Sequence, residues 1–251
     1  MTGKIKLYEE LAANAHVALN LMQYDGWLLR FSEGHTCRAN SVSVIYPSSN
    51  DLEEKVEYCE KKYAEQNLPC IFKLTDGDDE LLELLQKRGY EEVTPTDVLE
   101  VEIGDVKMPE GDFDFYDKHD EEWLTEYFSL ENYKEKNKEI YRKMLDKGLV
   151  DTQYVALKEN GKVVAVASSA TERDHMLIRG VFVDSDYRRK GYGRKVCLAL
   201  MAKASECGTK TAWLQVVQDN KPAYDLYEKL GFKKVYGYLY MKKFHSLHNI
   251  K

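Results

Sequence analysis

The chain has 251 residues, 43% of them hydrophobic, enough for one large domain or two small ones with separate cores. Its formal net charge of -7 argues against a generic polyanion binder, so nucleic acid is not an expected partner. No apolar run of spanning length and no signal peptide is visible, so no membrane association is expected.

Leu7, Leu11, Ala15, Ala18 and Leu19 recur at helical spacing and predict a helix over 4–21. Two strands follow over 27–31 and 41–46, joined by a polar turn at 32–35. Pro47-Ser48-Ser49-Asn50-Asp51 ends the second strand and supplies capping side chains to a helix over 52–66. A strand over 70–74, a helix over 79–88 stopped by Gly89, and a strand over 97–103 complete the first half. Residues 104–111, with Pro109, form a linker. Beyond it come a strand over 113–116 and helices over 121–127 and 134–147, the second burying Ile140, Tyr141, Met144 and Leu145 on one face. Strands over 153–158 and 163–169 turn at Asn160-Gly161, a two-residue hairpin signal. A strand over 176–183, a helix over 192–206, a strand over 211–217, a helix over 222–230 and a strand over 234–242 follow.

The five cysteines, Cys37, Cys59, Cys70, Cys197 and Cys207, form no Cys-x-x-Cys pair and read as reduced thiols of a cytoplasmic protein. His245 and His248 stand in a polar tail without other clustered ligands, so no metal is expected.

The two halves repeat one another. Residues 84–93, Leu-Leu-Gln-Lys-Arg-Gly-Tyr-Glu-Glu-Val, align without gaps to residues 226–235, Leu-Tyr-Glu-Lys-Leu-Gly-Phe-Lys-Lys-Val. Each stretch closes a helix with glycine and enters a strand through an aromatic, and each follows a strand, a helix and a strand. Two related domains, 1–104 and 112–251, are expected.

The segment with chemical content is 181–195, where a strand ending near Val183 leads through a loop to a helix starting near Tyr192. Its loop carries Arg188-x-x-Gly191-x-Gly193. A helix N-terminus offers unpaired N–H groups and a positive dipole end, and glycines let phosphate oxygens approach that backbone. Arg188, Arg189, Lys190, Arg194 and Lys195 add positive charge. The missing Gly-Lys-Ser/Thr disfavours a nucleotide P-loop, and the absent third glycine disfavours a dinucleotide fingerprint.

This segment resembles motif A of the GNAT superfamily of N-acetyltransferases, Arg/Gln-x-x-Gly-x-Gly/Ala, filled here by Arg188, Gly191 and Gly193. Residues 220–232 resemble the family's Asn-x-x-Ala-x-x-Leu-Tyr-x-x-x-Gly-Phe signature. The resemblance implies an α/β (α+β) fold of two tandem GNAT-like domains, each a mixed, mostly antiparallel twisted sheet flanked by helices. It implies acetyl-CoA as co-substrate and no metal. Val181, Phe182 and Val183 would pair with the pantetheine arm by strand addition. Arg188 to Arg194, Tyr192 included, would surround the pyrophosphate, and Asn220 would contact the arm.

Acyl transfer to nitrogen needs a neutral amine. An ordinary lysine-like amine, with a pKa of about 10.4, costs roughly 4.6 kcal/mol to neutralise at pH 7. The departing thiolate needs a proton donor, and a phenol can serve. The resemblance implies that Tyr227 is that acid, one of 18 tyrosines in the chain. Glu131, Glu172, Asp174 and His175 are candidates for the base, and Arg179 for pairing with an acidic substrate group.

In the first half Leu85 stands where the second has Tyr227, Asp78 stands in place of Asn220, and the Pro47 to Asp51 loop has no glycine. A degenerate N-terminal domain is therefore expected, of the kind found in bacterial tandem-GNAT proteins. Arg30, Arg38 and Asn40 are its candidates for substrate contact. The functional expectation is transfer of acetyl from acetyl-CoA to a primary amine, of a small molecule or of a peptide or protein, through a ternary complex, by a monomer or homodimer. The alternative is a non-catalytic acyl-CoA-binding or regulatory module.

Overall fold

The computed structural model describes residues 3–243. In chain order the elements are α1 (Gly3–Ala15), β1 (Asn20–Tyr24), β2 (Trp27–Phe31), β3 (Val42–Val44), α2 (Leu52–Glu65), β4 (Ile71–Thr75), α3 (Asp79–Lys87) and β5 (Glu91–Glu102). They continue with β6 (Asp112–Tyr116), α4 (Glu121–Glu131), α5 (Glu135–Asp146), β7 (Asp151–Glu159), β8 (Lys162–Glu172), β9 (His175–Val183), α6 (Tyr192–Glu206), β10 (Thr211–Val217), α7 (Lys221–Lys229) and β11 (Lys233–Lys242). His245 and His248 lie outside the described residues, among which no cluster of metal-ligating side chains occurs. No helix among them is long and apolar enough to cross a membrane.

The chain forms two compact units, and they are not the two sequence halves. Unit 1 comprises residues 1–97, 140–147 and 236–251, and unit 2 comprises 98–139 and 148–235. The division therefore differs from the expected 1–104 and 112–251. The C-terminal strand belongs to unit 1, where β11 pairs antiparallel with β4 from Tyr238↔Thr75 to Lys242↔Ile71. The second part of β5, last strand of the first half, falls to unit 2, where the backbone N–H of Ile103 donates to Lys210 O at 2.8 Å.

In unit 1, β1 and β2 form an antiparallel hairpin, β3 continues antiparallel to β2, and β4 runs parallel to β3 through Val42↔Phe72 and Ser43↔Lys73. Trp27, Leu29, Val56, Tyr63, Phe72, Leu85 and Met241 are buried in its core. A second, polar contact ties α1 into this unit. Lys73 Nζ donates to both oxygens of Glu9, at 2.7 and 2.5 Å, the Tyr236 hydroxyl donates to Glu9 Oε1 at 2.7 Å, and the Tyr238 ring centroid lies 3.9 Å from Lys73 Nζ.

In unit 2, β6, β7, β8 and β9 are successively antiparallel, and β10 runs parallel to β9. The β7–β8 turn falls at Asn160 and Gly161, both at positive φ (52° and 78°), as a tight hairpin requires. Leu99, Val155, Ala165, Ile178, Leu200, Ala212 and Phe232 are buried in its core.

Both units share a plan: a meander of three antiparallel strands, a helix, a strand parallel to the meander's last strand, and a helix. The aligned helix ends also match in detail. Tyr90 N donates to Leu85 O and Phe232 N to Tyr227 O, each at 3.0 Å, with Gly89 and Gly231 at φ of 80° and 90°. Glycine alone takes that left-handed stop without strain.

Candidate active site

In unit 2, β9 and β10 pair only through Thr211↔His175, Ala212↔Met176 and Trp213↔Leu177. Beyond Leu177 the β10-side edge of β9 pairs with nothing in unit 2, while its other edge pairs with β8 up to Val183↔Ala165. The open edge spans Val181, Phe182 and Val183, so their backbone can receive an extended ligand arm. The ladder to β8 skips a residue between Val166↔Phe182 and Ser168↔Arg179, with Gly180 at φ 60°. This is a β-bulge, which twists the strand and frees backbone groups. Tyr127 of α4 covers it: a Cβ at position 180 would stand 3.0 Å from Tyr127 Cε2. The Tyr127 ring is stacked on Trp123 at 5.0 Å and meets the edge of Phe182 at 5.5 Å.

The loop after β9 is held at its start. Asp184 ion-pairs with Lys162 at 2.7 Å and accepts from Asp186 N at 2.9 Å, and these contacts lower its pKa. Arg188 Nε donates to Val183 O at 3.3 Å. Arg189 and Gly191 then adopt positive φ, 64° and 87°, and the chain enters α6 with no side-chain cap. Among the described residues no acceptor is found for the backbone N–H groups of Gly191, Tyr192, Gly193 and Arg194. Unpaired donors at a helix N-terminus can hold an anion. A Cβ on Gly191 would meet nothing within 4 Å, whereas one on Gly193 would stand 3.3 Å from Leu226 Cδ2. Gly191 is thus required by its φ, Gly193 by close packing against α7. Arg188, Arg189 and Lys190 are exposed, Lys190 Nζ lies 4.8 Å from the Tyr187 ring centroid, and the Tyr192 hydroxyl donates to Glu159 at 2.9 Å.

Tyr227 is 8% exposed on α7, its ring edge-on to Phe232 at 5.9 Å. Burial, and secondarily the neighbouring Cys197 thiol, push its phenol well above the ordinary value. Its hydroxyl makes no hydrogen bond among the described residues. Asn220 is the N-cap of α7, its Oδ1 accepting from Ala223 N at 3.3 Å.

The four candidate bases separate. Glu172, Asp174 and His175 sit at the β8–β9 hairpin, with Glu172 opposite His175 in the ladder. Six residues of strand, about 20 Å, separate His175 from Val181. Asp174 is also engaged with Lys210 at 2.8 Å and His175 Nδ1 with Arg173 O at 2.6 Å. Glu131 instead stands one helical turn after Tyr127, on the same face of α4. Arg179 pairs with Ser168 beside the bulge, and the Ser168 hydroxyl donates to Arg179 O at 3.4 Å.

In unit 1 the side chains of Asn40 and Arg30, two of the residues singled out by sequence, are bonded within the fold. Asn40 is buried and saturated: Oδ1 accepts from Ser32 N (2.7 Å) and Gly34 N (3.0 Å), and Nδ2 donates to His35 O (2.6 Å) and Thr36 O (3.0 Å). Arg30, 5% exposed, donates to Arg38 O at 2.5 Å, to Ala13 O at 3.3 Å and to His16 O, which ties the end of α1 to the strand. Arg38 is half-buried in the 3-10 turn Cys37–Ala39. Gly180 and Tyr127 escaped the sequence reading, although a glycine within a strand pattern is a recognised sign of a bulge.

The family model described as Probable histone acetyltransferase Rv0428c C-terminal matches residues 2–241. YobR, an uncharacterized N-acetyltransferase of Bacillus subtilis (strain 168), is 25% identical over 247 residues, 95% of this chain and 98% of its own. The ribosomal protein bS18-alanine N-acetyltransferase of Escherichia coli (strain K12) is 37% identical over 78 residues, 31% of this chain and 53% of that relative. Among solved structures, a GCN5-related N-acetyltransferase from Kribbella flavida superposes with a TM-score of 0.72 at 16% identity, covering 98% of each chain. A tandem GNAT protein from the clavulanic acid biosynthesis pathway gives 0.65 at 12% identity, covering 80% of this chain and 74% of that one. With the family model spanning nearly its whole length, the chain belongs to the Rv0428c C-terminal acetyltransferase family, and it shares its fold with these solved structures.

Proposed function

We propose that unit 2 transfers an acetyl group from acetyl-CoA to a primary amine within a ternary complex. The observation carrying this reading is the set of unsatisfied N–H groups from Gly191 to Arg194, beside the open edge of β9. The residues fit the co-substrate: four backbone donors with Arg188, Arg189, Lys190 and Arg194 for a diphosphate, and the backbone of Val181, Phe182 and Val183 for an extended amide-bearing arm. Asn220 holds the start of α7 beside that arm.

Acetyl-CoA supplies a thioester whose carbonyl carbon accepts the amine. The chain supplies the proton steps. Tyr227 donates its proton to the departing thiolate and regains one from the nitrogen of the new amide, and its raised pKa keeps it protonated through neutral pH. Glu131 takes the proton from the incoming ammonium, directly or through water, because it shares the α4 face that covers the bulge. Arg179, next to the bulge, offers a cation to an acidic group of the acceptor. The cytoplasm is the compartment this reading implies, since all five cysteines are free.

The acceptor is a small-molecule amine or a peptide or protein amine. The bS18-alanine relative aligns with only part of this chain, so a peptide N-terminus belongs in the test panel beside small amines and lysine peptides. Calorimetry with coenzyme A, paired with thiol release from acetyl-CoA over that panel, tests the reading. Binding that Gly191→Glu abolishes, with release on at least one amine, supports it. Absence of binding, or affinity unchanged in Gly191→Glu, overturns it. Binding without turnover on any amine would identify a non-catalytic acyl-CoA-binding module.

A further inference from the structure

Unit 1 has a crevice of its own. β3 and β4 pair at Val42↔Phe72 and Ser43↔Lys73 and then part, and at their C-terminal ends lies a cavity of about 380 Å³. The mouth beyond the carboxyl ends of diverging parallel strands is where open α/β sheets bind ligands, and the volume lies within the usual range for small-molecule sites. Trp27, Val44, Leu52 and Leu81 give it an apolar wall, and Lys6 and Asp78 stand at its polar side.

In the loop before α2 the donors of Ser48, Ser49 and Asn50 are already engaged. Asp25 takes them: the carboxylate accepts from Ser48 Oγ (2.6 Å), Ser49 Oγ (2.7 Å), Ser49 N (3.0 Å) and Asn50 N (2.9 Å). The fully buried Lys55 ammonium completes the cluster, 3.1 Å from Asp25 Oδ2, bonded to Asp25 O and Ser48 Oγ, and 4.0 Å from the Trp27 ring centroid. A chain carboxylate thus occupies the place that an anionic ligand would need. The cluster also fixes Trp27 as a rigid wall.

The remaining polar capacity is of another kind. Asp78 Oδ2 accepts from Thr75 N (2.8 Å) and Thr75 Oγ1 (3.2 Å), while Asp78 Oδ1 accepts nothing among the described residues. Burial raises the Asp78 pKa despite those bonds, a penalty that a bound ammonium would relieve. Lys6 makes no ion pair among the described residues and lies 5.9 Å from the Tyr46 ring centroid. Among the described residues, a carboxylate oxygen without a hydrogen bond and an ammonium without an ion pair stand beside an apolar wall and match a small zwitterion.

We propose that this cavity is a second ligand site, for a free amino acid with a large apolar side chain. Its ammonium meets Asp78, its carboxylate meets Lys6, and its side chain lies against Trp27, Val44 and Leu81. The inference is independent of acetyl transfer by unit 2.

The test is calorimetric titration of the full chain with phenylalanine, leucine, N-acetylphenylalanine and coenzyme A, in the wild type and in Asp78→Asn, Leu81→Trp and Gly191→Glu. Phenylalanine or leucine should bind, Asp78→Asn should weaken binding about tenfold or more, and Gly191→Glu should leave it unchanged. Leu81→Trp should fill the cavity and abolish binding. Asp78→Asn preserves shape and guards against a misfolded Leu81→Trp, with circular dichroism confirming the fold of each. The proposal is overturned if neither amino acid binds at millimolar concentration, if N-acetylphenylalanine binds as well as phenylalanine, or if Asp78→Asn leaves affinity intact. It is also overturned if coenzyme A displaces the amino acid from Gly191→Glu.

Discussion

The Tyr127 ring lies across Gly180, so closely that a Cβ at 180 would come within 3.0 Å of Tyr127 Cε2. Gly180 also holds φ at 60°, a region that costs an L-residue about 1–2 kcal/mol. The ring cannot yield easily, because Trp123 stacks on it with an interplanar angle of 13°. Gly180→Ala should therefore lower the thermal midpoint by several degrees and kcat/KM by about tenfold or more, as the bulge shifts. Adding Tyr127→Leu should return part of both. If Gly180→Ala alone changes neither melting nor turnover, the bulge is not held as described.

Tyr227 tests the acid role through its pH dependence. The protonated phenol is the active form, and burial raises its pKa above the ordinary value of about 10. A raised acid pKa moves the descending limb of the rate profile to higher pH. Wild-type kcat should thus show no fall from about pH 6 to about pH 9.5. Tyr227→Phe should lower kcat about 100-fold with little change in KM for acetyl-CoA, the mark of an interaction made only in the transition state. A descending limb near neutrality, or full activity in the variant, would remove Tyr227 from the mechanism.

Much of this architecture could be read from local signals. The helix Tyr192–Glu206 and the strand Thr211–Val217 have the bounds expected, because glycines and a polar turn punctuate them. Leu19 and Leu21 misled: they prolong a helical period past Ala15, but Asn20–Tyr24 pairs with Trp27–Phe31 as a strand. β5 begins at Glu91, ahead of the expected 97–103, and runs through Pro95 with Thr94 at φ 54°. Gly191 and Gly193 stand at the entry to the helix where the motif put them, since their type and spacing are local. Arg30 and Asn40 looked available because sequence does not reveal which carbonyls a side chain meets. The transfer of the last strand to unit 1 has no local signal at all, since the repeat suggests that each half keeps its own.

That transfer makes the first half incomplete. Met241 is fully buried in the unit 1 core, and Tyr236 and Tyr238 close the Glu9–Lys73 contact. A fragment of residues 1–104 would expose Met241's neighbours and leave a buried ion pair short of a donor. It should be unfolded or aggregated, seen as a loss of cooperative melting and poor amide dispersion. The full chain should melt cooperatively. A soluble, cooperatively folded 1–104 fragment would show that β11 contributes little to unit 1.

His35 gives unit 1 a sensitivity to mild acid. Its side chain is 5% exposed, its ring meets Tyr141 edge-on at 6.0 Å, and burial lowers its pKa from the ordinary 6.5. The folded chain therefore binds a proton at this site less readily than the unfolded chain does. By linkage, the neutral ring's contribution is present in full above about pH 6.5 and is lost as the pH falls from there towards the lowered folded value. Urea midpoints should drop between about pH 7 and about pH 5.5 in the wild type, and drop less in His35→Gln, which removes the titrating group. The variant should be less stable than the wild type at pH 7.5, because it loses the ring packing, and the gap should narrow as the solution is acidified. Parallel declines in the two proteins would place the acid sensitivity elsewhere.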